Sequence, residues 1–401
     1  MKDFILVINS GSSSLKFAVL AEQGKTIILE GIAQRLESKD AQIEFKFDQH
    51  KDTQGLTLGT HQDALASIKS WFDQHPDIAQ NLIGIGHRVV HGGETFSASV
   101  VIDENTISAI DKCSNLAPLH NPANVKGIRA CQSLFPELPQ VAVFDTAFHQ
   151  TLEASEYLYP IPMRFYRNQS IRKYGFHGTS YRYISQALAN INEASLNEGV
   201  IVAHLGNGAS VCAIQNGQSL DTSMGLTPLD GLMMGTRSGS LDPMILGFMA
   251  DAENLTLDDC LAILNKESGL QGISELSNDC RTLEEAMNSG DERAKLALDM
   301  FCRRTAKNIA SLATSLHNLD HLVFTGGIGE NSVYIRSQVC LALSVLGVHI
   351  DANLNANVQR GQACLVSKDK ADKKVWIIPT NEELMIALDT INLIQTQAVK
   401  V

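Results

Sequence analysis

The chain has 401 residues, of which 44% are hydrophobic and 19% are charged, and its net charge is −12 at pH 7. This length predicts two domains rather than one core, and the acidic balance argues against a nucleic-acid partner. No apolar stretch approaches the roughly 18 residues that a membrane-spanning helix needs, and the apolar run at 4–8 is too short for a signal peptide. The eight cysteines include no C-x-x-C pair, so neither a zinc site nor a disulfide framework is predicted. We therefore expect a cytoplasmic protein with no membrane partner.

The first predicted element is a β-hairpin with a very polar tip. The apolar run 4–8 is followed by residues 9–16, NSGSSSLK, and the chain becomes apolar again over 17–20. A surface turn does not need this density of hydroxyl and amide groups. Because backbone N–H groups in such turns form concave anion sites, the loop predicts phosphate binding.

A second hairpin of the same kind is predicted about half a chain later. Residues 200–203 are apolar, residues 204–210 read HLGNGAS, and residues 211–214 are apolar again. The repetition suggests two domains of like fold, although hairpins with Asn-Gly tips are common and can recur without duplication.

Helices and strands alternate elsewhere, which predicts an α/β fold. The predicted elements are a helix at 123–135 with the cap Asn121-Pro122, a long helix at 291–318, a strand at 321–325, a glycine-rich loop at 326–332, a helical run to 346 and a strand at 375–378. Residues 380–383, TNEE, predict a capping box for the last helix.

Three loops that follow predicted strands, 9–16, 204–210 and 326–332, are rich in serine or glycine. The chain contains no G-x-x-x-x-G-K-[ST], no G-x-G-x-x-G and no H-E-x-x-H. These absences exclude a P-loop and remove the sequence case for a dinucleotide fingerprint or a zinc-protease helix. Three phosphate-type loops in a two-domain α/β chain favour a nucleotide held between the domains.

Ten segments of the sequence, taken in order, resemble the acetate kinase family. They are NSGSSSLK at 9–16, GHRVVHGGE at 86–94, APLHNP at 117–122, VFDTAFHQ at 143–150, YGFHGTS at 174–180, HLGNG at 204–208, DTSMGLTPL at 221–229, GTRSG at 235–239, TGGIGENS at 325–332 and IPTNEEL at 378–384. The resemblance covers essentially the whole chain.

The resemblance implies two duplicated actin-like, or ribonuclease H-like, α/β domains, each with a mixed central sheet, and an interdomain cleft. The domains would be residues 1–147 with 385–401, and residues 148–384. The implied reaction is reversible in-line transfer of the γ-phosphoryl group of ATP to acetate, which gives acetyl phosphate and ADP. It would use Mg²⁺, for which Mn²⁺ can substitute. The family also forms homodimers through its second domain.

The implied chemistry needs cations rather than a general base. Acetate is already ionised near pH 7, so the difficulty is the repulsion between an anion and a triphosphate. Arg88 and Arg237 offer planar donors that match carboxylate and phosphoryl oxygens. Strand periodicity places Arg88 on the same face as Val90, although the stem of such an arginine could simply cover a sheet edge.

The resemblance also implies roles for individual residues. The catalytic residues would be Asn9, Arg88, Asp145, His177 and Arg237, with His177 and Arg237 as transition-state stabilisers. Asn9 and Glu382 would bind the metal, and Arg88, Val90, Leu119, Phe176 and Pro228 would bind acetate. The nucleotide would contact Ser12, Ser14, Lys16, His204, Leu205, Gly206, Asn207, Gly208, Asp279, Cys280, Arg281, Gly327, Ile328, Gly329, Glu330 and Asn331.

Simpler interpretations exist for three of these residues. A lone histidine such as His177 is usually structural. Asp145 follows an apolar run and could cap the next helix. Glu382, at a predicted helix start, could be a carboxylate favoured by the helix dipole.

Two positions depart from the family's usual pattern, and two other functions remain open. Ser240 stands where the family usually has aspartate, and Tyr181 stands where histidine is common. One alternative function is a kinase for propionate or another short-chain acid, because one methylene changes discrimination by only about 1–3 kcal/mol. The other is an actin-like ATPase switch, which would have no carboxylate for Arg88 and Arg237 to bind.

Overall fold

The structure, a computed structural model, describes residues 3–21, 24, 26–118, 120–368 and 370–398. The chain divides into two compact units, one formed by Met1–Phe148 with Asn381–Val401 and the other by His149–Thr380. The sequence analysis set the second boundary at 385. The division comes earlier because the C-terminal helix, Glu382–Ala398, packs as a whole on the first unit.

The first unit is built on an eight-stranded mixed sheet with the order β5-β4-β3-β2-β1-β6-β8-β7. Its strands are β1 (Phe4–Ser10), β2 (Ser14–Ala21), β3 (Thr26–Gln34), β4 (Gln42–Phe47), β5 (His50–Gly55), β6 (Leu82–Val89), β7 (Val100–Val101) and β8 (Gln140–Phe144). Its helices before the C-terminal helix are α1 (His61–Gln74), α2 (Pro76–Ala79), α3 (Glu104–Lys112) and α4 (Asn121–Leu134), with a 3-10 turn at Cys113–Asn115.

Apolar side chains cover both faces of this sheet. On one face, Leu6 and Ile8 join a core with Leu65 and Phe72 of α1. On the other face, Ile5 and Val7 join a core with Ile386 and other residues of the C-terminal helix. Alternation along β1 sends successive side chains into opposite cores, so its continuous apolar run reflects a strand buried on both faces.

A glycine in β6 brings the C-terminal helix close to the sheet. A Cβ atom on Gly86 would lie 2.5 Å from Cγ2 of Ile386 and 2.5 Å from Oγ1 of Thr390. A side chain at this position would push the helix away. The close approach matters because Arg88 follows on the same strand and Glu382 begins that helix.

The second unit contains a six-stranded mixed sheet with the order β11-β10-β9-β12-β14-β13. The strands are β9 (Val200–Leu205), β10 (Ala209–Gln215), β11 (Gln218–Thr222), β12 (His321–Thr325), β13 (Cys364–Leu365) and β14 (Lys374–Ile377). The helices are α5 (Ala154–Tyr157), α6 (Arg164–Gln169), α7 (Gly178–Ile191), α8 (Ile245–Glu253), α9 (Leu257–Lys266), α10 (Gly269–Ser274), α11 (Cys280–Asn288), α12 (Glu292–Leu312), α13 (Gly326–Asn331), α14 (Val333–Ala342) and α15 (Ala352–Ala356). Short 3-10 segments occur at Ala147–Thr151, Glu193–Leu196, Ala313–Ser315 and Leu343–Leu346.

The two sheets share one strand arrangement, and this confirms the predicted duplication. In the first unit, β3-β2-β1 is antiparallel, and β6 and β8 then pair parallel beside β1. In the second unit, β11-β10-β9 is antiparallel, and β12 and β14 pair parallel beside β9. Both predicted hairpins, β1–β2 and β9–β10, therefore occupy equivalent places in like folds.

Several local predictions differ from the structure. The glycine-rich segment at 326–332 is not a loop, because Gly326–Asn331 forms the short helix α13 directly after β12. The last helix is capped by Asn381, whose Oδ1 accepts from the N–H of Leu384 at 2.9 Å. The predicted box beginning at Thr380 is thus one residue too early, since the hydroxyl of Thr380 bonds Ser180 instead.

The predicted cap at Asn121 and the length of the long helix also differ from the structure. Asn121 is already the first residue of α4, and its side chain instead accepts from the N–H of His91. The long helix α12 ends at Leu312, before the predicted residue 318, and a 3-10 turn follows it. Among the described residues, no helix has the length and apolarity needed to cross a membrane.

Candidate active site

Arg88 and Asp145 form the centre of the site in the first unit. Arg88 lies on β6, Asp145 follows β8, and these neighbouring strands run parallel. Nε of Arg88 donates to both carboxylate oxygens of Asp145 at 3.0 and 3.1 Å, and Nη2 donates to Oδ2 at 2.5 Å. Burial alone would lower the pKa of Arg88, but the charges of Asp145 and Glu382 outweigh it and raise that pKa. The ion pair fixes the plane of the guanidinium group.

Asn9 adds a third group to this centre. It lies on β1, where it pairs with Lys16 of β2, and β1 runs parallel to β6 on its other side. Its Oδ1 accepts from Nη1 of Arg88 at 3.3 Å. Ser12, an exposed residue, belongs to the tip that follows, and the N–H of Gly11 closes this tip on the carbonyl of Ser14 at 2.8 Å.

Glu382 completes the group from the start of the C-terminal helix. Its Oε2 lies 3.9 Å from Nε of Arg88, and its side chain is 22% exposed. Burial raises the pKa of Glu382 to about 7. Arg88 opposes this shift, whereas the nearby carboxylates of Asp145 and Glu383 add to it. This corner of the unit therefore concentrates negative charge around one arginine.

The raised pKa of Glu382 predicts a pH-dependent stability in the absence of metal. The folded chain binds the Glu382 proton more tightly than the unfolded chain, so this group stabilises the fold at acidic pH, and the contribution is lost as pH rises through about 7. We expect the wild type to lose about 1–3 kcal/mol of unfolding free energy relative to Glu382→Gln between pH 5 and pH 8.

Urea unfolding in EDTA at several pH values measures this difference. The control is Glu285→Gln, which removes an exposed carboxylate from α11 and should follow the wild type. Equal pH dependence in the wild type and in Glu382→Gln would contradict the prediction.

Arg237 presents a different environment in the second unit. Its Nη1 donates to the carbonyl of Pro228 at 3.3 Å and lies 3.8 Å from the sulfur of Met234. Among the residues that the structure describes, no carboxylate forms an ion pair with it. Burial accordingly lowers the pKa of Arg237. A half-buried guanidinium without a counter-ion is a group suited to receive an anion.

His177 lies close to the same place. It caps α7 with φ of 57°, a left-handed conformation that is uncommon outside glycine. Its ring stacks on His204 of β9, with centroids 4.3 Å apart. A Cβ atom on Gly208 would lie 3.6 Å from Nη1 of Arg237 and 3.7 Å from Nε2 of His177. Arg237 and His177 therefore both reach the tip of the β9–β10 hairpin.

A cavity of about 420 Å³ opens beside that hairpin. Predicted nucleotide residues that line it are Gly206, Asn207, Asp279, Cys280, Arg281, Gly327, Ile328 and Asn331. Asn278, Glu284, Ser332 and Arg360 also line it and were missed. Asn278 adjoins the predicted Asp279 and could have been included, whereas the sequence carries no signal for Arg360. Both ends of the cavity are held by glycine-containing turns that admit close approach of a ligand.

Other predicted nucleotide residues do not line this cavity. Glu330 turns its carboxylate back to the start of its own helix, where Oε1 accepts from the N–H of Gly326 at 2.9 Å and of Thr380 at 3.1 Å. Gly329 is buried beneath the helix, and its carbonyl accepts from Nη1 of the buried Arg336 at 3.0 Å. These residues shape α13 from behind, while Gly327, Ile328 and Asn331 face the cavity.

The predicted site residues thus fall into separate groups. The first unit holds Asn9, Ser12, Ser14, Lys16, Arg88, Val90, Asp145 and Glu382, and the second holds Phe176, His177, His204, Leu205, Gly208, Pro228, Arg237 and the cavity residues. Val90 and Phe176 are buried, with 7% and 2% exposure. Leu119 lies outside the described residues.

Comparison with known proteins identifies the family. The model of the acetokinase family matches residues 4–388. An acetate kinase from Chromobacterium violaceum is 49% identical over 98% of this chain and 99% of its own. The chain belongs to the acetokinase family. Its members are phosphotransferases, and this chain is one of them.

Solved structures of family members share the fold. A propionate kinase from Francisella tularensis superposes with a TM-score of 0.93 at 45% identity, covering 98% of this chain and 100% of that one. An acetate kinase from Porphyromonas gingivalis gives a TM-score of 0.92 at 39% identity, covering 98% and 99%.

Ser240 departs from the family pattern without contacting Arg237 in the described structure. Its hydroxyl donates to Oδ1 of Asp230 at 2.5 Å and accepts from the N–H of Gly231 at 2.9 Å. These bonds tie together the two ends of the loop that carries Arg237. An aspartate at this position would instead face the carboxylate of Asp230, so serine suits the local charge.

The residues around Glu382 fit a hard dication. Within the described residues there is no cluster of three or more His, Cys, Asp or Glu side chains that could form an all-protein metal site. Mg²⁺ does not need one, because it commonly binds through one or two carboxylates together with substrate phosphates and water. Glu382 has the required chemistry, since a nearby dication would relieve the repulsion that raises its pKa.

Proposed function

We propose that this member of the acetokinase family is an acetate kinase that transfers the γ-phosphoryl group of ATP to acetate, reversibly. In this reaction a carboxylate oxygen of acetate forms a bond to the γ-phosphorus. The bond between that phosphorus and the β,γ-bridging oxygen breaks, and ADP leaves with the electron pair. No proton needs to be removed from the acceptor, because acetate is already an anion.

The observation that carries the proposal is the contrast between the two arginines. Arg88 is held in one plane by Asp145 and Asn9, so its remaining donors can orient a small carboxylate. Arg237 has no counter-ion among the described side chains and donates only to a carbonyl and a thioether. We propose that it stabilises the charge on the transferring phosphoryl group, and that His177 donates a hydrogen bond to the same group.

The remaining residues would recognise the two substrates. Val90, Phe176, Pro228 and Leu119 would contact the methyl group of acetate. The cavity lined by Asn207, Asp279, Arg281 and Gly327 would bind the nucleoside of ATP. Mg²⁺, held by Glu382 with Asn9 and Asp145 nearby, would neutralise phosphate charge when bound. Mn²⁺ prefers similar oxygen ligands and would substitute for it.

A hydroxamate assay tests the function directly. Purified protein, ATP, Mg²⁺ and acetate should yield acetyl phosphate, which hydroxylamine traps as a coloured iron complex. ADP release without a hydroxamate product would instead indicate an ATPase, and no turnover with any short acid would overturn the proposal.

Propionate kinase activity is a second candidate, because the similar structure from Francisella tularensis is that of a propionate kinase. Comparison of kcat/KM for acetate, propionate and butyrate distinguishes the two functions. We expect acetate to give the highest value, as in the curated relatives named acetate kinase.

We further propose that the enzyme is a cytoplasmic homodimer, joined through apolar residues of α8 and α9. Phe248 is 75% exposed, Met244 is 68% exposed and Leu257 is 61% exposed. Such a group of large apolar side chains is unusual on a surface that meets only water. A second copy of the chain is the partner that the family resemblance implies.

Replacing Phe248 with glutamate should weaken this dimer. A charge in an apolar contact between copies would remain desolvated and unpaired, so we expect the sedimenting species to shift toward the monomer at micromolar concentration. Val345→Glu, at a residue with 84% exposure in another part of the second unit, is the matched control and should leave the mass unchanged. A monomeric wild type, or an unaffected Phe248→Glu dimer, would contradict the proposed contact.

A further inference from the structure

A hydrogen-bonded chain of side chains lies behind His177. Nδ1 of His177 is 2.8 Å from Oγ of Ser210, and this oxygen is also hydrogen-bonded to the hydroxyl of Tyr181. Tyr181 and Ser210 are both 0% exposed, so water does not compete for their hydrogen bonds. The chain begins one turn into α7 and ends at the residue that caps this helix.

The order of donors along this chain follows from acidity. The hydroxyl of Ser210 has one proton, so it can donate to one neighbour while it accepts from the other. A phenol, with a pKa near 10, is a much better donor than an aliphatic alcohol. Tyr181 therefore donates to Ser210, and Ser210 donates to Nδ1 of His177. A neutral imidazole that accepts at Nδ1 carries its proton on Nε2.

The other edge of the ring points toward the hairpin tip. A Cβ atom placed on Gly208 would lie 3.7 Å from Nε2 of His177 and 3.6 Å from Nη1 of Arg237. The stack on His204 limits tilting of the ring, because the His204 side chain is itself held by Ser180, whose Oγ lies 2.8 Å from its Nδ1. Nε2 is thus directed to the same place as the unpaired guanidinium.

We propose that Tyr181 is a positioning residue that acts through Ser210 to fix His177 as the Nε2–H tautomer. His177 then presents a hydrogen-bond donor to the transferring phosphoryl group without having to become an imidazolium. This inference rests on the proposed function of His177. Tyr181 is also the position where the family more commonly has histidine, and an imidazole there could donate or accept and would not by itself set the direction of the chain.

A double-mutant cycle tests the coupling between the two residues. Tyr181→Phe should lower kcat about tenfold, which is part of the roughly 10²–10³-fold that one preorganised donor contributes, with both KM values within about twofold. In a His177→Ala background, Tyr181→Phe should have no further effect on kcat, because the tautomer no longer matters. Tyr183→Phe removes the same atom from the same helix outside the chain and should leave kcat unchanged.

Nitrogen-15 NMR of histidine-labelled wild type provides a second measurement that needs no folded variant of Tyr181. His177, assigned by its loss in His177→Ala, should show a protonated Nε2 and an unprotonated Nδ1. A protonated Nδ1 in the neutral ring would overturn the proposal, as would a Tyr181→Phe effect of equal size in both backgrounds. Absence of acetyl phosphate formation by the wild type would instead count against the proposed function, since the NMR result is independent of turnover.

Discussion

Arg237→Lys is expected to lower kcat by about 10²–10³-fold while the protein stays folded. Lysine keeps the positive charge but loses the planar fork that can contact two phosphoryl oxygens at once. The structure leaves the guanidinium of Arg237 without a carboxylate partner among the described residues, so its cost of burial is recovered only when an anion binds. Steady-state kinetics with saturating ATP and acetate measures the loss.

The same feature predicts an unusual effect on stability. Removing the half-buried charge in Arg237→Leu should leave the thermal midpoint equal to that of the wild type or higher, because an uncompensated guanidinium destabilises the fold. Arg293→Lys is the control, since Arg293 is an exposed residue in surface ion pairs with Glu275 and Asp291, and its activity should not change. A kcat for Arg237→Lys within threefold of the wild type would refute the role of Arg237.

Asp145→Asn is expected to lower kcat/KM for acetate by about 10²-fold or more. Both oxygens of Asp145 accept from Arg88, and a neutral amide cannot hold the guanidinium in the same bidentate arrangement. Arg88 would then turn toward Glu382, which lies 3.9 Å away. A displacement of this size in a group that orients a substrate is enough for such a loss.

Stability should fall together with activity in this variant, in contrast to Arg237→Leu. Loss of one member of a buried ion pair costs about 3 kcal/mol, which urea unfolding can measure. Asp221→Asn is the matched control, because Asp221 is buried and pairs with Lys173 at 2.6 Å outside the site. We expect it to be destabilised with kcat unchanged. If Asp221→Asn lost activity as severely as Asp145→Asn, the effect of Asp145 would be one of stability alone.

The local features of the fold were predictable from the sequence. The two hairpins around 9–16 and 204–210 occur as predicted, because strand runs and turn residues act over a few positions. Their similarity also led to the duplicated fold, which the shared strand order confirms. The segment at 326–332 was misassigned, because glycines that predict a loop are also compatible with the short helix α13, in which Glu330 caps the first turn.

The grouping of the site residues depended on long-range pairing. Parallel β6 and β8 bring Arg88 to Asp145, and the glycine at 86 lets the C-terminal helix place Glu382 beside them. Nothing in the local pattern connects Ser210 to Tyr181, or Arg360 to the cavity beside Asn207. Such contacts arise only after sheets and helices have packed.

The sequence by itself determined the family, the α/β class, the two hairpins and the identity of the cationic and carboxylate side chains. These follow from residue type and short spacing, which are local properties of the chain. Only the tertiary structure decided which arginine has a partner and which does not, and through which hydroxyl His177 is oriented. The physical reason is that charge pairing and proton position depend on groups far apart in the chain, whose energies are set by burial and by distances of about 3 Å.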